Sequence, residues 1–192
     1  METLKIKKVR EGAIIPTRAH ATDAGMDLYA MMPDLTDEEK QTMRIAKSLL
    51  NKDGEVDSVN AMTSLLFGMA NVTANDESND SEILIGPHKT IMIPTGIAIA
   101  VPDGYMGCVY ARSGLASKKS LAPANCVGVI DSAYRGEVMV ALHNYSGKYQ
   151  TIKVGERIAQ LVVQPISLCQ PIEVDSLDTT DRGDNGFGST GK

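Results

Sequence analysis

Five short segments concentrate glycine, charge and hydroxyls: "AGMDLYA" (24–30), "ARSGLA" (111–116), "GVIDSAYRGEV" (128–138), "GERIAQLVVQP" (155–165) and "RGDNGFGSTG" (182–191). Arg112, Ser113 and Gly114 set a guanidinium, a hydroxyl and an unhindered backbone side by side, which suits phosphate oxygens. The plainer alternative is a surface salt bridge beside a capping serine. Asp131 follows an apolar run and precedes a turn, so it reads either as a turn former or as a general base. Tyr134 by itself is a strand-surface or core aromatic. Gln160 faces either solvent or a ligand, and Arg157 is assigned to the same strand face by alternation but left outside the site. Asp27 alone is an ordinary turn carboxylate.

The last segment runs on as "GDNGFGSTGK", where Gly186, Gly191 and Lys192 spell most of a G-x-x-x-x-G-K-[ST] phosphate loop. That loop needs a strand before it and a hydroxyl residue opening a helix after it. Lys192 is the last residue, so a P-loop is not expected. The glycines instead suit a pliable segment whose backbone can approach a ligand closely.

The elements that must position these residues are mostly strands. From residue 83 onward, short β-branched runs alternate with turns: "EVMVALHN", "TIKV" and "IAQLVVQPI" read as half-buried strands. Ser146-Gly147-Lys148 and Gly155-Glu156 read as turns, and Pro94-Thr95-Gly96 and Pro102-Asp103-Gly104 as strand breaks. The expected class is all-β, a sandwich or barrel. The exception is 33–82. "TDEEKQTMRIAKSLLN" has Thr36 and Glu39 at capping-box spacing and Met43, Ala46, Leu49 and Leu50 on one helical face. "EVDSVNAMTSLLFGMA" repeats the period with Val56, Val59, Met62, Leu65, Leu66 and Met69, followed by the acidic linker "NVTANDESNDSE". A helical hairpin is therefore predicted. Residues 31–82 hold 11 Asp and Glu against 4 Lys and Arg, leaving the rest of the chain at +2.

With 192 residues and 43% hydrophobic content, one main core is expected. No stretch approaches the roughly 20 apolar residues of a membrane span, nor does "METLKIKKVREG" resemble a signal peptide. A soluble cytoplasmic protein is the expectation. The net charge of −5 argues against general nucleic-acid binding. Cys108, Cys126 and Cys169 form no close pair, so neither a disulfide framework nor a zinc cluster is expected. His20, His88 and His143 lack metal-ligand spacing and read as structural.

The five segments, in this order, resemble the five motifs of the trimeric dUTPases, over residues 3–30 and 83–192. The steps from Arg112 to Asn125 and from Asn125 to Asp131 also fit that family. The resemblance implies a jelly-roll-like β-sandwich core that assembles as a homotrimer and hydrolyses dUTP to dUMP and pyrophosphate. It implies that Asp131 activates the water that attacks the α-phosphorus, and that Tyr134 lies under the deoxyribose. The hairpin from Gly128 to Met139, including Val129 and Ile130, would read uracil with Asn125. Arg112, Ser113, Gly114 and Gln160 would meet the phosphate chain. Arg182, Ser189, Thr190 and the amides around Gly188 would close over the phosphates while Phe187 stacks on the base. Mg²⁺ would be chelated mainly by the triphosphate, with Asp27 acting through metal-bound water. The expected organisation is a β core of 1–32 and 83–180, a helical acidic insert at 33–82, and a flexible C-terminal active-site arm at 181–192.

Two alternatives are weighed. A dCTP deaminase shares the hairpin motif but uses a glutamate on the following strand; here Ala141 stands at that place, and "RSG" replaces "RSS". The insert could instead dock a protein partner, although an apolar stripe at helical spacing mostly serves a core.

Overall fold

The computed structural model describes residues 3–56, 81–184 and 186. Two four-stranded antiparallel sheets share one core. The first contains β1 (Lys5–Lys8), β4 (Thr90–Ala100), β8 (Glu137–Asn144) and β6 (Leu121–Pro123), in the order β1-β4-β8-β6. The second contains β2 (Met26–Tyr29), β10 (Arg157–Pro165), β5 (Tyr105–Ala111) and β7 (Val127–Ile130), in the order β2-β10-β5-β7. A smaller ladder pairs β3 (Glu82–Ile85) with β9 (Gln150–Lys153). Helix α1 spans Asp37–Ser48 and the short α2 spans Ser113–Lys119.

Alternation decides which side chains enter the core. Along β8, Val138, Val140, Leu142 and Asn144 are buried, while the residues between them are half-buried or exposed. They meet Ile93, Ile97 and Ile99 of β4 and Leu28, Val109, Ile158 and Leu161 of the second sheet. The buried Asn144 is satisfied locally. Its Nδ2 donates to the carbonyls of Ile85 (3.0 Å), Gly86 (3.0 Å) and Lys148 (2.7 Å), and its Oδ1 accepts from Ser146 N and Oγ. The predicted Ser146-Gly147-Lys148 turn is wrapped around that amide.

Pro102-Asp103-Gly104 is the expected turn, with Tyr105 N donating to Pro102 O. Pro94-Thr95-Gly96 is not the strand break its residues suggest. β4 runs through it as a bulge, the pairing with β8 stepping from Pro94↔Met139 to Ala98↔Glu137. The displaced backbone groups find other partners. Met31 N donates to Pro94 O, Gly96 N donates to the Glu137 carboxylate, and Thr95 Oγ1 donates to Val138 O. Gly96 adopts φ +72°, and a Cβ there would meet Met31 and Ala13.

The capping box of α1 forms as predicted, Thr36 Oγ1 accepting from Glu39 N while the Glu39 carboxylate accepts from Thr36 N. Its Met43, Ala46, Leu49 and Leu50 stripe is half-buried, and no α1 residue is fully buried. The segment is attached at its C-terminal end: Lys47 Nζ donates to Glu82 O, Tyr149 N donates to Gly54 O, and Lys148 pairs with Glu55 at 2.8 Å. Of the second expected helix only Glu55 and Val56 are described, Val56 bridging to Leu50; the remainder, with the linker up to residue 80, lies outside the described residues. No helix among the described residues is long and apolar enough to cross a membrane.

Candidate active site

The predicted residues fall into two groups, the first on the second sheet and the other along β7 and its connection to β8. The first gathers at the junction of β2, β10 and β5. Gln160 of β10 stands opposite Asp27 of β2 on one side and Tyr110 of β5 on the other. Its Nε2 donates to Ala111 O at 3.0 Å. Gly25 leaves room for this amide, since a Cβ there would lie 2.6 Å from Gln160 Oε1. Arg112 follows Ala111 directly, and its Nε lies 2.9 Å from Asp27 Oδ1. Its extended backbone caps α2, so Ser113 and Gly114 form an exposed first turn, with open space around Gly114.

Arg157 belongs to this group, against the expectation that left it out. Its Nη1 lies 3.2 Å from Asp27 Oδ2. Gln160 lies three positions on, so the expected shared face does not follow from alternation, which over an odd step would put the two on opposite faces. A bulge prevents this: Arg157 pairs with Tyr29 but Ala159 pairs with Leu28, so Ile158 is the extra residue and both Ile158 and Ala159 are buried. Asp27 thus carries a guanidinium on each carboxylate oxygen. Two consecutive buried residues, Ile158 and Ala159, mark that bulge in the burial pattern of β10.

The second group is the connection from β7 to β8, which is not the expected hairpin: β7 pairs with β5 in the second sheet, whereas β8 pairs with β4 and β6 in the first. Asn125 precedes β7, and its Nδ2 comes within 3.4 Å of where a Gly128 Cβ would stand. Cys126 takes φ +62° to turn the chain into the strand. Asp131 is exposed at the end of β7, and its carbonyl accepts from Tyr134 N at 3.1 Å. Val129 is exposed, Ile130 is buried against the core, and Met139 points out from β8. The half-exposed Tyr134 ring folds back over Gly136, where any Cβ would strike it, and its hydroxyl donates to Glu137 O at 3.0 Å. Arg135, not anticipated from the sequence, ties the tip by donating from Nη1 to the carbonyls of Ser132 and Tyr134.

The Asp131–Tyr134 tip lies at the end of β5 opposite the first group, whereas Asn125, two residues before Val127, lies at the Arg112 end. Tyr110, next to Arg112, pairs with Val127, whereas Gly107 pairs with Ile130. Asp131 lies one residue beyond that last pair, so more than about 15 Å of strand separates its backbone from that of Arg112. A single chain does not bring them together. Of the C-terminal residues, Arg182 is exposed, Gly183 N donates to Thr180 O, and Phe187, Gly188, Ser189 and Thr190 lie outside the described residues.

Among the described residues, no group of three or more His, Cys, Asp or Glu side chains converges as a metal site. His143 Nδ1 lies 2.8 Å from Thr90 Oγ1, and His20 pairs with Asp23. Cys108 is buried, Cys126 and Cys169 are exposed, and all three are unpaired thiols.

A family model described as dUTPase matches residues 76–191. The deoxyuridine 5'-triphosphate nucleotidohydrolase of Desulfitobacterium hafniense (strain DSM 10664 / DCB-2) is 51% identical over 115 residues, covering 59% of this chain and 76% of that protein. The protein of the same description from Corynebacterium jeikeium (strain K411) is 37% identical over 193 residues, covering 98% of this chain and 92% of the relative. Among solved structures, the dUTPase of Staphylococcus bacteriophage 80alpha with dUpNHpp superposes with a TM-score of 0.69 at 23% identity over the whole of both chains, a likeness of fold. The match of more than half the chain to the family model, together with a relative aligned along nearly its entire length, places this chain in the dUTPase family.

Proposed function

We infer that the chain hydrolyses dUTP to dUMP and pyrophosphate. The observation that carries this reading, beside family membership, is the cluster at the β2-β10-β5 junction. There Arg112, Arg157 and the Gln160 amide surround one carboxylate and open onto the exposed Ser113-Gly114 turn, a cationic and donor-rich place for a triphosphate. In this reading the phosphate chain draws Arg112 to itself, while Ser113 and Gly114 present a hydroxyl and unhindered amides. Asp131 takes the proton of the water attacking the α-phosphorus, and pyrophosphate leaves toward Arg112 and Gln160. Arg182, Phe187, Ser189 and Thr190 close over the nucleotide. Among the described residues the donor set fits a Mg²⁺ that arrives with the triphosphate, because the one carboxylate here has both oxygens engaged by guanidinium groups. When bound, Mg²⁺ neutralises phosphate charge, and Asp27 meets it through water.

The separation of Asp131 from Arg112 across β5 supports a site completed between subunits, and a homotrimer meets that requirement. The C-terminal segment supports it too: beyond Ile166, Leu168 and Leu177 are 81% and 83% exposed, apolar side chains that a neighbouring subunit would cover. Deamination is disfavoured by Ala141, which faces Met92 on β4 and offers no carboxylate. Asp131→Asn tests the chemistry. Turnover should fall by about 10²–10⁴-fold while dUTP binding, measured calorimetrically, is retained. A variant with near-normal turnover would remove Asp131 from the mechanism.

A further inference from the structure

Arg10, just past β1, makes one of the most fully used guanidinium groups in the protein. Its Nε donates to both carboxylate oxygens of Glu137 at 2.9 Å, and its Nη1 and Nη2 donate to the two oxygens of Asp34 at 2.8 Å each. Glu137 Oε1 also accepts from Gly96 N at 2.7 Å, and Gly96 O accepts from Val9 N and Arg10 N. Three segments far apart in sequence therefore meet at one carboxylate: the stretch after β1, the bulge of β4 and the end of the connection from β7 to β8. Asp34 adds a fourth, two residues before the Thr36 cap of α1.

A structural ion pair would account for the charges alone. The main chain of Glu137 carries more, because its carbonyl accepts the Tyr134 hydroxyl at 3.0 Å. Gly136, between them, has no Cβ and lets the ring lie against the backbone. The ring is otherwise half-exposed, so its position is inherited from Glu137. The Glu137 backbone is fixed in turn by a side chain held from two sides, by Arg10 and by the bulge.

We propose that Arg10 and Glu137 are positioning residues that set where the Tyr134 ring stands, and so how strongly the site rejects a ribonucleotide, with Asp34 at the root of the insert holding Arg10 in place. This rests on the reading of Tyr134 as the residue beneath the sugar. A ring displaced by a fraction of an ångström opens room for a 2′-hydroxyl while leaving Asp131 and the phosphate cluster untouched. The loss therefore falls on discrimination more than on dUTP turnover.

The test compares wild type with Glu137→Gln, Arg10→Met, Arg10→Lys and Asp34→Asn. It measures kcat/KM with Mg²⁺ for dUTP and for UTP, and hydrogen exchange across residues 127–139 in the nucleotide-free protein. The dUTP-to-UTP ratio should fall about tenfold or more in Glu137→Gln and Arg10→Met. It should fall about twofold to threefold in Asp34→Asn, whose carboxylate is exposed, and by an intermediate amount in Arg10→Lys, which keeps charge but loses the planar fork. Amides of the β7–β8 connection should exchange faster in the same order. Thr36→Ala, which removes only the α1 cap, should leave the ratio unchanged. Unchanged ratios in Asp34→Asn and in every other variant that folds would overturn the proposal. If wild type itself shows no preference for dUTP over UTP, the sugar-facing reading of Tyr134 fails. Exchange still judges the anchor in that case: faster exchange in Glu137→Gln supports it and unchanged exchange overturns it.

Discussion

At the scale of single residues, charge and packing distinguish the side chains that carry the site from those that carry the fold. Asp27 shows how far a residue type can be read. A lone Asp after glycine says little, and only the register of β2 against β10 puts it between Arg112 and Arg157. Arg157 was legible only through the bulge at Ile158, which depends on how two strands pair rather than on the arginine. Asn144 is the opposite case, a fold residue with no chemistry to perform. It is 0% exposed, and its amide satisfies carbonyls of three residues in two loops. Asn144→Ala should cost about 2–4 kcal/mol, because it removes a buried amide's hydrogen bonds to three carbonyls and to Ser146. Thermal unfolding measures it, with an unchanged midpoint as the contrary result.

At the scale of elements, local patterns were the readable ones. The capping box of α1 and the alternation of β8 depend on residues three and two apart, and both appear as the sequence predicts. The bulge of β4 escapes such reading because Gly96 N is satisfied by Glu137, 41 residues away. The loop after α1 is held to β9 by a glycine and an ion pair. Gly54 takes φ +74°, and a Cβ there would run into Tyr149 O. Gly54→Ala should therefore loosen residues 47–56 by about 1 kcal/mol or more, seen as faster local hydrogen exchange with the β core unaffected. The Lys148–Glu55 pair adds a pH signature. Lys148 holds the Glu55 carboxyl below its ordinary 4.5, so that contribution is present above that value and is lost as pH falls through the lowered one. Glu55 raises Lys148 above its ordinary 10.5, so its contribution is complete below that value and is lost as pH rises through the raised one. Protection of this loop should be flat through neutral pH and fall at both extremes. A slope centred near neutrality would contradict the pairing.

At the scale of the whole molecule, the Asp131–Tyr134 tip stands at the far end of β5 from Asp27, Arg112 and Gln160 instead of converging with them in one chain. This was hidden in the sequence, because the pairing of Gly107 with Ile130 and of Tyr110 with Val127 is a tertiary fact. The proposed function assigns the C-terminal arm the role of closing a site that subunits share. Truncation after Gly183 should cut turnover by about 10²-fold or more, as loss of a closing segment does, while the oligomeric state measured by light scattering stays that of the full chain. Full activity without the arm would remove it from the site. The central claim is that this fold reads uracil and deoxyribose and cleaves between the α- and β-phosphates. Pyrophosphate release with Mg²⁺ from dUTP, dCTP, dTTP and UTP, compared side by side, tests it most directly. The account predicts strong preference for dUTP, with dUMP and pyrophosphate formed in equal amounts and no ammonia from dCTP; equal rates on all four nucleotides, or deamination of dCTP, would contradict it.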